Sequence, residues 1–262
     1  MKKLLLFIIF IVLLFSCKTI EKKNKETEAK ILFKNLVKAS ENLDDVYVSG
    51  MFKLTGVKEV PAAFINFESY GNFKKQLMSF KISFLKKPLI QISVNGSDIT
   101  FINYTGKEYI KLKYESVDLS KFIGVNFNPL EISYFFIGKI PYSTDIEMMS
   151  CQFTKNGIVM ELTNNVSKYS ITLNEKEEII SVKINNQYFD ILNIDSIQYA
   201  KNDDGDSIPK NINFSTEDQK VKMSFIIDKI SYNPKNIELN DLDFLSDYKE
   251  VFNINDIKVK LK

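Results

Sequence analysis

The chain has 262 residues, 35 basic and 33 acidic, and its formal net charge of +2 gives no concentrated positive field of the kind that neutralises nucleic-acid phosphates. Every basic residue is lysine. Histidine, arginine and tryptophan do not occur, which excludes Ser-His-Asp and Cys-His catalytic units and histidine metal sites.

In chain order, Lys2 and Lys3 precede an unbroken apolar run from Leu4 to Phe15, followed by Ser16 and Cys17. A charged start, an apolar stretch of this length and a small residue before cysteine read as a signal peptide over residues 1–16. The run is too short to span a bilayer, which takes about 20 apolar residues. Leu14-Phe15-Ser16-Cys17 resembles a bacterial lipobox, although Phe15 is bulkier than the usual residue there. The expectation is that Cys17 is lipidated and begins the mature chain; the alternative is an ordinary secretion signal cleaved elsewhere. After loss of Lys2 and Lys3 from the 35, 33 lysines would balance 33 acids. Cys151 would then have no intrachain partner, and it reads as a small buried hydrophobe in an alternating run.

Residues 17–29 are charged and aperiodic, which predicts a flexible tether. A helical pattern then places Ile31, Leu32, Leu36, Val37 and Leu43 on one face. Strand-like alternation follows through Val46–Leu54, Ala62–Tyr70, Met78–Phe84, Ile90–Val94, Ile99–Asn103 and Tyr109–Tyr114, with turn residues at Asn95-Gly96 and Thr105-Gly106. Asp118 could cap a short turn ending at Gly124.

The series is interrupted by Asn126–Tyr142. Asn128 as N-cap, Pro129 at the first helical position and Glu131 reaching back predict a helix start; Gly138 and Pro141 predict its stop. The two turns between them are apolar nearly all round, so this helix must be buried or lie between a core and an apolar ligand. Further strands are expected over Cys151–Thr154, Ile158–Leu162, Val166–Leu173, Ile179–Ile184, Tyr188–Tyr199, Ile208–Phe214 and Val221–Ile230. Pro234–Lys262 is less regular and is expected to run across the outside of the sheet. With no further linker, residues 30–262 form one domain, mainly β: a curved antiparallel sheet or incomplete barrel with few helices.

Chemistry is sparse. There is no glycine-rich phosphate loop. Asn202-Asp203-Asp204-Gly205-Asp206 has the wrong spacing for a calcium loop and reads as a solvated turn. No carboxylate stands in an apolar run in a way that suggests a perturbed pKa, so a hydrolase with paired carboxylates is a weak reading, and the chain is expected not to be an enzyme. Apolar surface remains: several strands carry large apolar residues on both alternating sets, as at Phe64, Ile65 and Phe67. Either helices cover the second face or a concave apolar face receives lipid.

Three stretches carry a resemblance: residues 79–103, beginning "SFKISFLKKPLIQISV"; residues 109–141, containing "NFNPLEISYFFIGKIP"; and residues 188–214, beginning "YFDILNIDSIQYAKND". Their order and spacing over residues 30–232 resemble the LolA/LolB superfamily of bacterial lipoprotein carriers, most of all LolB-like envelope lipoproteins.

That resemblance implies an incomplete antiparallel barrel of about 11 strands, with short helices closing a hydrophobic cavity for acyl chains. It implies lipidation at Cys17, an acylated lipoprotein or lipid as cargo, a LolA-like carrier as partner, attachment to the membrane through the N-terminal lipid, and no cofactor or metal. The protein is expected to be a monomer on the periplasmic face of the outer membrane, delivering or inserting its cargo there. Lys18 stands where an inner-membrane retention aspartate would follow the cysteine. The protruding loop that touches the membrane falls on Lys86-Lys87-Pro88-Leu89, with Leu89 the insertion residue and Leu85 the alternative. The cavity is expected to be lined by Phe80, Ile82, Phe84, Ile92, Phe101, Leu130, Phe135, Phe136 and Ile137. The chain departs from the family in lacking an arginine to hold a lid and a glycine after Leu89. The competing reading keeps the fold as a structural or adaptor lipoprotein whose cavity is filled by its own side chains.

Overall fold

The computed structural model describes residues 25–57, 64–113, 125–234 and 243–252. Cys17, the signal segment and the turn expected at Asp118–Gly124 lie outside the described residues. A first helix, α1, covers residues 25–41. Ala29 and Leu32 are buried on it, so helix has already begun within the stretch expected to be tether. Ile31, expected on the apolar face, is exposed.

Two antiparallel meanders follow. The first comprises β1 (Asp45–Thr55), β2 (Phe64–Asn72), β3 (Leu77–Phe84), β4 (Lys87–Asn95), β5 (Asp98–Asn103) and β6 (Glu108–Lys113). The second comprises β7 (Glu147–Thr154), β8 (Gly157–Thr163), β9 (Ser167–Leu173), β10 (Ile179–Asn186), β11 (Leu192–Lys201), β12 (Ser207–Thr216) and β13 (Lys222–Tyr232). They join where β1 pairs with β13, and β14 (Lys249–Glu250) adds in parallel to β6. The result is one open sheet of 14 strands in the order β14-β6-β5-β4-β3-β2-β1-β13-β12-β11-β10-β9-β8-β7. Thirteen of these strands fall on the segments marked by alternation, β14 is additional, and the total exceeds the 11 that the resemblance implies.

This topology explains the interruption in the sequence. β6 and β7 lie towards opposite ends of the sheet, so the chain between them must cross from one end to the other. The predicted helix, α2 (Pro129–Phe136), lies on that crossing. It packs on the inner face of the sheet, and the sheet curls around it. β3 and β12 are four strand spacings apart, roughly 19 Å in a flat sheet. Yet the rings of Phe80 on β3 and Phe214 on β12 each lie 6.3 Å from the ring of Phe136.

Inner residues form continuous cross-strand rows. Phe80 pairs with Ile92, Ile92 with Phe101, and Phe101 with Ile110. On β1 every second residue is buried, the period-2 pattern of a sheet with one dry face. The alternation survives a bulge at Ser49/Gly50, where a Cβ on Gly50 would lie 2.0 Å from the Ile226 carbonyl oxygen.

The outer face is covered in places. Gln91, Ser93, Thr100 and Ile102 on β4 and β5 are buried although they alternate with the inner set. Tyr104 donates to Gln91 Oε1 at 2.6 Å, and the Tyr248 ring packs edge-on against Tyr104. Of the C-terminal stretch expected outside the sheet, the described residues 243–252 place Tyr248 against Tyr104 and add β14 to the sheet edge; residues 235–242 and 253–262 lie outside the described residues. β11 starts at Leu192 rather than at Tyr188, because residues 187–191 turn back to meet the chain before α2: Asp190 N donates to the Asn126 carbonyl at 2.9 Å.

Candidate functional site

Local sequence makes α2 short and sharply bounded. The Asn128 side chain accepts from Leu130 N at 3.0 Å and Glu131 N at 3.2 Å, satisfying two of the orphan donors of the first turn. Pro129 costs nothing at a position whose N–H would be unpaired. At the other end, Gly138 adopts φ +67° while its N–H reaches Phe135 O and Lys139 N reaches Tyr134 O. A Cβ on Gly138 would sit 2.8 Å from the Tyr199 hydroxyl, so both conformation and space require glycine.

A helix buried all round needs a separate partner for each face, and α2 has three. Ile132 and Phe136 face the middle of the sheet. There the Phe136 ring lies 4.8 Å from Phe225, 5.7 Å from Phe67 and 6.3 Å from both Phe80 and Phe214. The volume beside Phe136 is thus taken up by the protein's own rings. Full burial of a side chain this large is worth about 1.5–3 kcal/mol.

The second face carries Glu131. Its Oε1 accepts from Ser167 Oγ at 2.5 Å, Tyr169 OH at 2.7 Å and Asn186 Nδ2 at 3.3 Å, and Asn186 Nδ2 also donates to Ser167 Oγ at 2.8 Å. All four residues are buried, and the partners of Glu131 among the described residues are neutral. Burial pushes the carboxyl pKa up, while the Ser167, Tyr169 and Asn186 donors pull it back. Glu131, whose carboxyl also meets the side chain of the N-cap residue Asn128, ties α2 to β9 and β10 as well. One expectation is corrected: this is a carboxylate in an apolar run with a perturbed pKa. Its flanking Leu130 and Ile132 were the available signal; the hydroxyl and amide donors come from strands some 36 to 55 residues on.

The third face, Leu130 and Tyr134, borders a cleft of about 450 Å³ between α2, the end of α1 and the β2–β3 turn. The Tyr134 ring packs tilted against Phe73 with ring centres 4.3 Å apart, and burial raises its pKa to about 12. At the rim, Tyr142 OH donates to Glu41 Oε1 at 3.2 Å, and Lys74 pairs with Asp44 at 2.7 Å.

Of the residues expected to line the inner face, Phe80, Ile82, Ile92, Phe101, Phe135, Phe136 and Ile137 are buried, and Leu130 is half-buried on the cleft. Phe84 is a correction. It keeps the parity of Phe80 and Ile82, but it is the last residue of β3 and is 46% exposed.

The β3–β4 loop also differs from expectation. Leu89 is half-buried and packs against the core, because an irregularity in pairing after Ile82 turns it inward. Leu85 holds the tip and is 76% exposed. Leu85 and Lys86 adopt φ of 48° and 65°, the two left-handed positions of a tight hairpin turn that favours Asn-Gly. Cys151, expected to be buried, is half-exposed near the sheet edge.

No family model matches the chain, and no curated protein sequence matches it. Solved structures do. A LolA superfamily protein from Nitrosomonas europaea superimposes with a TM-score of 0.53 over 80% of this chain and 96% of that one, at 9% identity. An outer membrane lipoprotein-sorting protein domain from Vibrio parahaemolyticus gives a TM-score of 0.50 over 82% of this chain and 96% of that one, also at 9% identity. The chain has the open, incomplete-barrel fold of the LolA superfamily, as the order of its sequence elements implies.

Proposed function

We propose that this chain is an envelope lipoprotein that binds the acyl chains of lipids or lipoproteins on the inner face of its open barrel. The observation that carries the reading is the seating of α2. Its Phe136 occupies an apolar hollow walled by rings from β2, β3, β12 and β13, and such contacts are non-directional. An acyl chain can replace them methylene for methylene, at about 0.8 kcal/mol per buried CH₂. A carrier built this way needs neither nucleotide nor general base.

In this reading residues 1–16 are a signal peptide, Cys17 bears the anchoring lipid, and a short linker leads into a single domain. The protein faces the periplasm from the outer membrane, receives acylated cargo from a LolA-like carrier, and passes it to the bilayer as a monomer. The tip at Leu85, rather than Leu89, meets the membrane. An exposed leucine held in a conformation that favours asparagine or glycine is what a surface-solubility role would avoid. Lys86 and Lys87 then lie at the level of anionic head groups.

A second reading has its own support. The four rings around Phe136 fill the hollow, as a structural or adaptor protein of the same fold would have it. The two readings part in one experiment. The chain from residue 18 onward, which retains every described element, is purified and titrated with a fluorescent fatty acid. Saturable binding with displacement by unlabelled lipid supports the carrier; absence of binding leaves the adaptor.

A further inference from the structure

We infer that the pocket beside the β12–β13 turn is the mouth of the barrel, through which an acyl chain reaches the ring-walled hollow and at which its polar end stays in water. This rests on the acyl-binding reading above, for which it supplies the entrance.

The pocket lies between the end of β1 at Gly56 and Val57, the residues before β11 at Asp190 and Ile191, and the turn from Thr216 to Val221. Its volume, about 660 Å³, is within the range of small-molecule sites, roughly 300–1,000 Å³. Its floor belongs to the same rows as the hollow. Val221, Met223 and Phe225 are buried at every second position, so they share one face at steps of roughly 7 Å. Val221 lines the pocket, and the Phe225 ring lies 4.8 Å from Phe136. Met223, between them, pairs with Leu54 on β1 and with Phe214 on β12, whose ring is 6.3 Å from Phe136. One layer of side chains therefore separates the pocket from the rings.

That layer is the one a chain can part. Deepest in, Phe52 stacks on Phe225 at 5.5 Å. The next row holds Leu54 and Met223, and at the pocket β1 contributes only Gly56 and β12 only Thr216. The wall tapers from rings to small side chains towards solvent. Gly56 cannot be larger: its φ is +91°, and a Cβ there would lie 1.8 Å from the Lys220 carbonyl oxygen. Met223 is unbranched and changes shape without moving the backbone.

The charged groups at the rim already have partners. Lys220 pairs with Asp218 at 2.7 Å, Lys183 with Glu217 at 2.8 Å, and Asp190 Oδ2 accepts from Asn126 N at 2.7 Å. Attraction to the ligand thus comes from the apolar floor, and a hydrated head group can rest at the rim. The chemistry that fits is a single acyl chain, inserted methyl end first, on a polar head.

Two fatty acids test this on the chain from residue 18 onward, one with a diazirine beside its carboxyl group and one with it near the methyl end. The carboxyl-end probe should label residues 190–191 and 216–221, and the methyl-end probe the ring-bearing segments. Ile191→Trp, which narrows the mouth, should slow association of a fluorescent fatty acid about tenfold. Met223→Ala, which thins the layer behind it, should speed association. Thr144→Trp, at an exposed position in the α1–α2 cleft, should leave the rate unchanged. Thermal melts establish that each variant is folded, and the crosslinks need no variant. Carboxyl-end label on the α1–α2 cleft or the β3–β4 tip, or an unchanged rate in folded Ile191→Trp, overturns the mouth; methyl-end label on the rings then leaves acyl binding intact. If neither probe labels saturably, acyl binding falls and the mouth with it.

Discussion

Tyr169 donates its hydroxyl to Glu131 Oε1 at 2.7 Å, and two whole strands, β7 and β8, lie between the elements that carry them. With Ser167 and Asn186 adding to the same oxygen, this is a buried polar anchor on a helix whose other faces are largely apolar. Glu131→Ala removes the shared acceptor of the Ser167 and Tyr169 hydroxyls, each costing about 1–3 kcal/mol if left unpaired, while Asn186 keeps Ser167 Oγ. The variant should lose about 3 kcal/mol or more in urea unfolding. Glu131→Gln keeps an acceptor oxygen in place and removes a desolvated charge, so it should fall within about 1 kcal/mol of wild type.

The pH dependence of that comparison has a definite sign. The Glu131 carboxyl titrates above its ordinary 4.5 in the folded protein because burial penalises its charge. The folded state therefore binds the proton more tightly than the unfolded state. The resulting stabilisation is complete below the unfolded value and is lost as pH rises through the folded one. Tyr169, the titratable group facing it from β9, has its own pKa pushed far up and stays protonated. Urea melts across this range should show Glu131→Gln gaining on wild type as pH increases. A gain towards acid instead would contradict the assignment.

Phe136 sits at the centre of the ring cluster and is fully buried. Phe136→Ala should cost about 3–5 kcal/mol, the range for deleting a buried phenylalanine. It also opens the hollow that a ligand chain would enter. A fluorescent fatty acid should therefore bind the variant at least as tightly as wild type, and should restore part of the lost thermal stability by mass action.

At the β3–β4 tip, stability and membrane contact should move in opposite directions. Leu85→Asn places a residue that tolerates the left-handed region where leucine is strained, and should stabilise the protein by about 1 kcal/mol. The same change removes the exposed apolar side chain. Flotation of the chain from residue 18 onward with vesicles containing anionic lipid should fall, and Leu89→Asn should instead destabilise, because Leu89 packs against the core.

Much of this architecture was legible because it rests on local periodicity. Alternation in β1 to β5, the N-cap at Asn128 and the stop at Gly138 are properties of neighbouring residues, and the structure places all of them as expected. The resemblance in element order also led correctly to an incomplete antiparallel barrel with few helices. What stayed hidden depends on contacts distant in sequence. Glu131 reads only as a capping residue until β9 and β10 present a hydroxyl pair and an amide to it. Leu89 and Leu85 are equivalent in a sequence of alternating character, and an irregularity in the β3–β4 pairing decides which is exposed. Phe84 has the right parity, but it is the last residue of β3 and is exposed.

Photo-crosslinking tests most directly whether acyl chains occupy the inner face. A fatty acid with a diazirine near its methyl end is bound to the chain from residue 18 onward, irradiated, and mapped by peptide mass spectrometry. The label should fall on α2 and on the segments bearing Phe67, Phe80, Phe214 and Phe225, and unlabelled lipid should abolish it. Label confined to the outer face or to the exposed residues Phe84 and Leu85, or no saturable labelling, would contradict the account.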